Sequence, residues 1–115
     1  MIDKKDLRIL SMMLEKIKRL VEIIQNHSKE EILNNFVFSD AVQFEFEKLY
    51  EDTTRLSIEF KILFESQLHI DDLRGIRNRV AHNYETVSVS ILIDTIQNDL
   101  PKLKDDIEKI IGNNT

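Results

Sequence analysis

The residues of this chain best equipped for chemistry lie in one short run, Arg77-Asn78-Arg79-Val80-Ala81-His82-Asn83-Tyr84. Arginine offers phosphoryl oxygens a rigid fork of donors and a permanent positive charge, and histidine gains and loses a proton near neutral pH. Together they suit cleavage of a phosphodiester without a metal: one group moves protons while the other holds the charge that develops on the phosphoryl oxygens. Arg74 belongs to the same segment, so three cations fall within six residues, although Asp71 and Asp72 just upstream offset part of their field. The plainer reading of the run is an exposed arginine-rich helix ending at a histidine that suits the helix dipole.

Spacing narrows the chemistry without settling it. On a regular helix, residues five apart are separated by about 140°, so Arg77 and His82 share a face only if the helix loosens. Asn78, four residues before His82, and Arg79, three before it, are the near neighbours, able to orient the imidazole or contact a substrate. Arg77 and Arg79 both remain candidates for the charge-stabilising role.

The elements that carry this run read as helices. With two glycines, one proline and apolar residues recurring at three and four, the chain is expected to be all-α, an antiparallel bundle of four to five helices. Leu7, Leu10, Met13, Leu14, Ile17, Leu20, Val21 and Ile24 form the stripe of a first long helix, with Met12 and Met13 read as filling core gaps rather than as a soft binding surface. Ser28 and Glu31 have capping-box spacing and predict a short helix through Ile32, Leu33 and Phe36. Ser39 or Asp40 would cap a second long helix running from Val42 through Phe46, Leu49, Leu56 and Phe60 to Leu63. Phe44 and Ile58 lie off its stripe and widen the apolar surface toward another partner, such as a second subunit. Asp71 and Asp72 start the shorter motif helix over Leu73, Ile76 and Val80, with His69 in the loop before it. Thr86 to Ser90 reads as a connection plus a cap. The last helix holds Leu92 to Ile111, with a kink or restart at Pro101 and a stop at Gly112.

At 115 residues and 42% hydrophobic, the chain has the size of one domain, residues 1–115. The lack of cysteine excludes disulfides and thiolate chemistry and fits a reducing cytoplasm. No run approaches the roughly 18 apolar residues of a membrane span, so a soluble, cytoplasmic protein is expected. A net charge of −5 argues against a general nucleic-acid coat, DNA included, and confines any RNA contact to a local patch. No His-Glu-x-x-His pairing is present, Glu45, Glu47, Glu51 and Asp52 read as a solvated flank, and neither a metal nor another cofactor is expected.

Gly75 to Tyr84 resembles the signature of the HepT-like toxins of the HEPN superfamily: arginine, four residues, histidine, one residue, tyrosine. Asp40-Ala41-Val42 resembles the start of that family's central helix and Asn98-Asp99-Leu100-Pro101-Lys102-Leu103 its last-helix segment. Tyr50-Glu51-Asp52-Thr53 departs from the Ile-Gly-Glu-Ala of many relatives. The resemblance implies a metal-independent endoribonuclease toxin of a type VII-like toxin–antitoxin system. It would act on RNA as a homodimer whose two motif helices line one cleft, with an MNT-type nucleotidyltransferase antitoxin as partner. Arg77 and His82 would be catalytic, and Asn78, Arg79 and Arg74 would orient the histidine or hold phosphate. Tyr84 would be either a packing residue or the site where the antitoxin attaches AMP. Two other readings stand beside this one: a noncatalytic helical subunit of a nucleotidyltransferase that binds a nucleotide or the partner, and a purely structural dimerisation domain.

Overall fold

Asp3 opens the first helix, α1 (Lys4–Asn26), by accepting a hydrogen bond from the Lys5 amide at 3.2 Å. The computed structural model describes residues 2–82 and 86–114, with backbone alone at 80–82 and 86–88. Its described residues form α1, α2 (Lys29–Asn34), α3 (Phe36–Thr54), α4 (Ile58–Leu68), α5 (Ile70–His82) and α6 (Thr86–Asn113), with no strand among them. This is the expected all-α bundle, with six described helices in place of four to five. The core joins the α1 stripe of Leu10, Met13, Ile17 and Leu20 to Val42 and Leu49 of α3 and to Leu92, Ile96, Leu100 and Ile107 of α6. Helix α1 packs along both α3 and α6, while α5, the motif helix, rests on α6 and α3.

The Ser28 capping box forms as its spacing predicts. Ser28 Oγ accepts from the Glu31 amide at 3.1 Å, and Glu31 Oε1 accepts from the Ser28 amide at 3.2 Å. That backbone bond, together with His27, holds the Glu31 carboxyl below its ordinary pKa. A carboxyl whose folded pKa is depressed contributes stability above its unfolded pKa and loses it as pH falls through the folded value. Ser28→Ala should therefore cost about 1 kcal/mol in urea unfolding at neutral pH. The smaller cost of Glu31→Gln should fade as the pH drops through the depressed folded pKa of Glu31.

The additional helix comes from a break in the predicted second long helix. Asp6, on α1, reaches across and accepts from both the Ser57 amide at 2.9 Å and the Ser57 hydroxyl at 2.6 Å. Ser57 takes an extended backbone (φ −65°, ψ 156°), and its hydroxyl oxygen accepts from the Phe60 amide, so it ends one helical path and caps the next. Helix α3 also starts earlier than the Ser39 or Asp40 cap predicts, because Asn35 accepts from the Val37 amide at 3.0 Å. His69 is more than a loop residue: in the left-handed conformation (φ 52°, ψ 47°) it closes α4 and turns the chain directly into α5.

Helix α6 begins at Thr86, so the serine-spaced stretch is helical, and it continues through Pro101 without restarting. The carbonyl left without its helical donor belongs to Gln97; Gln97 and Pro101 are both exposed, so water can serve it. Asp52 is no part of a solvated flank. It is buried, with Lys16 Nζ 2.8 Å from its Oδ2 and Arg55 3.7 Å from its Oδ1. Oδ2 makes no directed hydrogen bond and is compensated by the lysine charge.

Candidate active site

Helix α5 carries the motif. Leu73 and Ile76 bury one side of it against α6 and α3, which leaves Arg74, Asn78 and Arg79 exposed. Arg74, Asn78 and position 82 follow one another at intervals of four, one stripe along the helix. The helix stays regular to His82, its last residue, so the loosening that would bring positions 77 and 82 to one face within a chain does not occur. The His82 side chain, and Asn83 and Tyr84 altogether, lie outside the described residues.

Arg77 and Arg79, equivalent by spacing, meet different neighbours. Arg79 lines a shallow groove against α6 with Ile91, Asp94, Thr95, Asn98 and Asp99, two of them carboxylates. Arg77 turns to α3. Its Nε and one Nη donate to the two oxygens of Glu47 at 3.4 and 3.3 Å, and its guanidinium carbon lies 5.3 Å from the centre of the Tyr50 ring. The Glu47 carboxylate raises the already high pKa of this guanidinium, so Arg77 is a fixed cation at any pH at which the protein works.

Glu47 and Tyr50 escape a reading of the sequence alone. Glu47 sits 30 residues from Arg77, within a stretch whose other carboxylates gave it the look of a solvated face. It is still 43% exposed, so that look was half right. Its neighbour Glu45 likewise pairs with a cation, Arg19 of α1, at 3.1 Å. Three residues before Glu47, Phe44 of α3 is exposed with the Lys48 ammonium 5.3 Å over its ring, and Ile58, Ile62 and Leu63 of α4 are exposed as well. No three metal-ligating side chains gather among the described residues, and none of their helices is long and apolar enough to cross a membrane.

Residues 13–110 match the model of the family described as Ribonuclease HepT-like, and the chain belongs to that family. No solved structure matches it.

Proposed function

We propose that this chain, as a single HEPN-like domain, is a cytoplasmic, metal-independent endoribonuclease toxin whose catalytic residues are Arg77 and His82. The observation that carries the reading is the family match, which spans the whole motif helix. In the reaction, the ribose 2′-oxygen gives up its proton and attacks phosphorus, and the bond from phosphorus to the 5′-oxygen breaks as that oxygen takes a proton. The products are a 2′,3′-cyclic phosphate and a 5′-hydroxyl, and no water or metal enters the step. His82 serves as the base or the acid, and Arg77 stabilises the charge on the phosphorane oxygens. Asn78 orients His82 or a phosphate oxygen, while Arg74 and Arg79 hold the RNA backbone.

The working unit is a homodimer in which Arg77 of one chain acts beside His82 of the other. The regularity of α5 supports this, because it keeps the two positions on different faces within one chain. Exposed Phe44, three residues from Glu47 on α3, supports it as well, since a large apolar side chain next to the site suits coverage by a second copy. Two copies would also pool six arginines around one groove, giving an acidic protein a local phosphate site.

The partner of this reading is an MNT-type nucleotidyltransferase that neutralises the toxin by modifying Tyr84. There the phenolic oxygen attacks the α-phosphorus of ATP, pyrophosphate leaves, and the added phosphate charge repels RNA from the groove. Incubation with such an enzyme and ATP should add the mass of AMP to the wild type and not to Tyr84→Phe, and the modified protein should cease to cut RNA. The primary test is incubation of the unmodified protein with mixed RNAs and a chelator. Cleavage that disappears in Arg77→Ala and in His82→Ala is the expected result. A folded, unmodified wild type that binds the nucleotidyltransferase but leaves RNA intact would favour the noncatalytic subunit instead.

A further inference from the structure

The reaction above needs the Arg77 cation at a fixed place, and two residues outside the motif hold it there. Glu47 and Tyr50 stand three positions apart on α3 and are therefore neighbours on its surface. One meets the edge of the guanidinium with two contacts, at 3.3 and 3.4 Å, and the other meets it with its aromatic ring at 5.3 Å. We propose that Glu47 and Tyr50 are positioning residues for Arg77, a bracket that aims its outer donor fork at the scissile phosphodiester; this rests on the ribonuclease reading.

The donor count makes the bracket compatible with substrate. A guanidinium carries five N–H donors in one plane. Glu47 takes the side formed by Nε and one Nη, and the fork formed by the two Nη groups is the edge that matches two phosphate oxygens. The carboxylate therefore orients the arginine without using the edge that a phosphate needs. The Tyr50 ring limits swings of the guanidinium on that side. An arginine restrained in this way has less rotamer freedom to lose on reaching the transition state.

The charge of Glu47 acts against RNA binding even as its geometry helps the chemistry. A carboxylate beside the phosphate site repels RNA in the ground state. A positioning role therefore predicts a split that a structural role does not: removal of the charge lowers kcat while KM stays level or falls. The pair is well exposed on both sides, 38% and 43%, and such ion pairs add little to stability, so the variants should fold.

The test uses the full chain and a defined RNA oligonucleotide. Glu47→Gln should lower kcat about tenfold with KM unchanged or reduced, and Tyr50→Leu should lower kcat about fivefold while Tyr50→Phe keeps it. In an Arg77→Ala background, Glu47→Gln should cause no further loss. An unchanged kcat in Glu47→Gln, or the same loss with and without Arg77, would overturn the assignment. A second readout does not depend on cleavage: NMR exchange of the Arg77 Nε–H, assigned with Arg77→Lys. Exchange slower in the wild type than in Glu47→Gln supports the bracket whether or not RNA is cut, and equal exchange overturns it even if RNA is cut.

Discussion

His82→Ala should reduce the single-turnover rate of RNA cleavage by about 10²–10⁴-fold, the usual contribution of a positioned acid or base. The melting temperature should stay near that of the wild type, because position 82 is the last of α5, beyond the buried Leu73 and Ile76 that seat the helix. Arg77→Ala should cost about 10²–10³-fold, as loss of one oxyanion-stabilising group does elsewhere. Arg77→Lys should recover little of this, since lysine keeps the charge but has no fork to share between Glu47 and a phosphate. Mixing adds a geometric test. If each site combines Arg77 of one chain with His82 of the other, equal amounts of the two inactive alanine variants, allowed to exchange subunits, should regain about a quarter of wild-type activity. Half of the dimers are then mixed, and each of these holds one intact site of two. A site built within one chain would regain nothing.

The largest effect on stability should come from Lys16→Met. Asp52 is 2% exposed, and Lys16, 2.8 Å away, is the near cation that makes a charge there tolerable. Removal of one partner from a buried ion pair leaves the other uncompensated, which typically costs about 3–5 kcal/mol. Arg55, whose guanidinium stands 3.7 Å from the other oxygen and is half exposed, offsets part of this, so about 3 kcal/mol is expected. For a chain of this size, that is a drop of about 12 °C in Tm. The double variant Lys16→Met/Asp52→Leu should regain most of the loss, since an apolar pair of similar volume costs nothing in desolvation. A loss under about 0.5 kcal/mol in Lys16→Met would place the pair among ion pairs of no consequence.

These predictions divide along the line between what neighbours in sequence can encode and what they cannot. The apolar stripes of α1 and α6, the capping box at Ser28, the core position of Met13 and the helical setting of the motif are all written within a few turns of chain, and each is found where its spacing puts it. The break at Ser57 is not local: Ser57 can cap in many sequences, and what commits it here is Asp6, 51 residues away. Asp52 looks like its acidic neighbours until Lys16 of α1 is laid beside it. The different surroundings of Arg77 and Arg79 are of the same kind, because two residues apart on one helix they face different neighbouring helices. Pro101 teaches the converse. A residue that breaks a helix in isolation is carried through when the orphaned carbonyl belongs to an exposed residue, Gln97, and Leu100 and Leu103 are locked into the core.

The measurement that bears most directly on the central claim is the chemistry of the cut ends. Purified, unmodified protein would be incubated in a chelator with a short RNA of known sequence, and the products weighed by mass spectrometry. A matched oligonucleotide lacking the 2′-hydroxyl at the cleaved position would serve as control. Attack by the neighbouring 2′-oxygen with Arg77 and His82 predicts a 2′,3′-cyclic phosphate on one fragment, a 5′-hydroxyl on the other, and no cut in the deoxy control. Fragments with a 5′-phosphate, or equal cleavage of the deoxy control, would mean that water attacks phosphorus, and would contradict the assignment of these two residues to a metal-free transesterification.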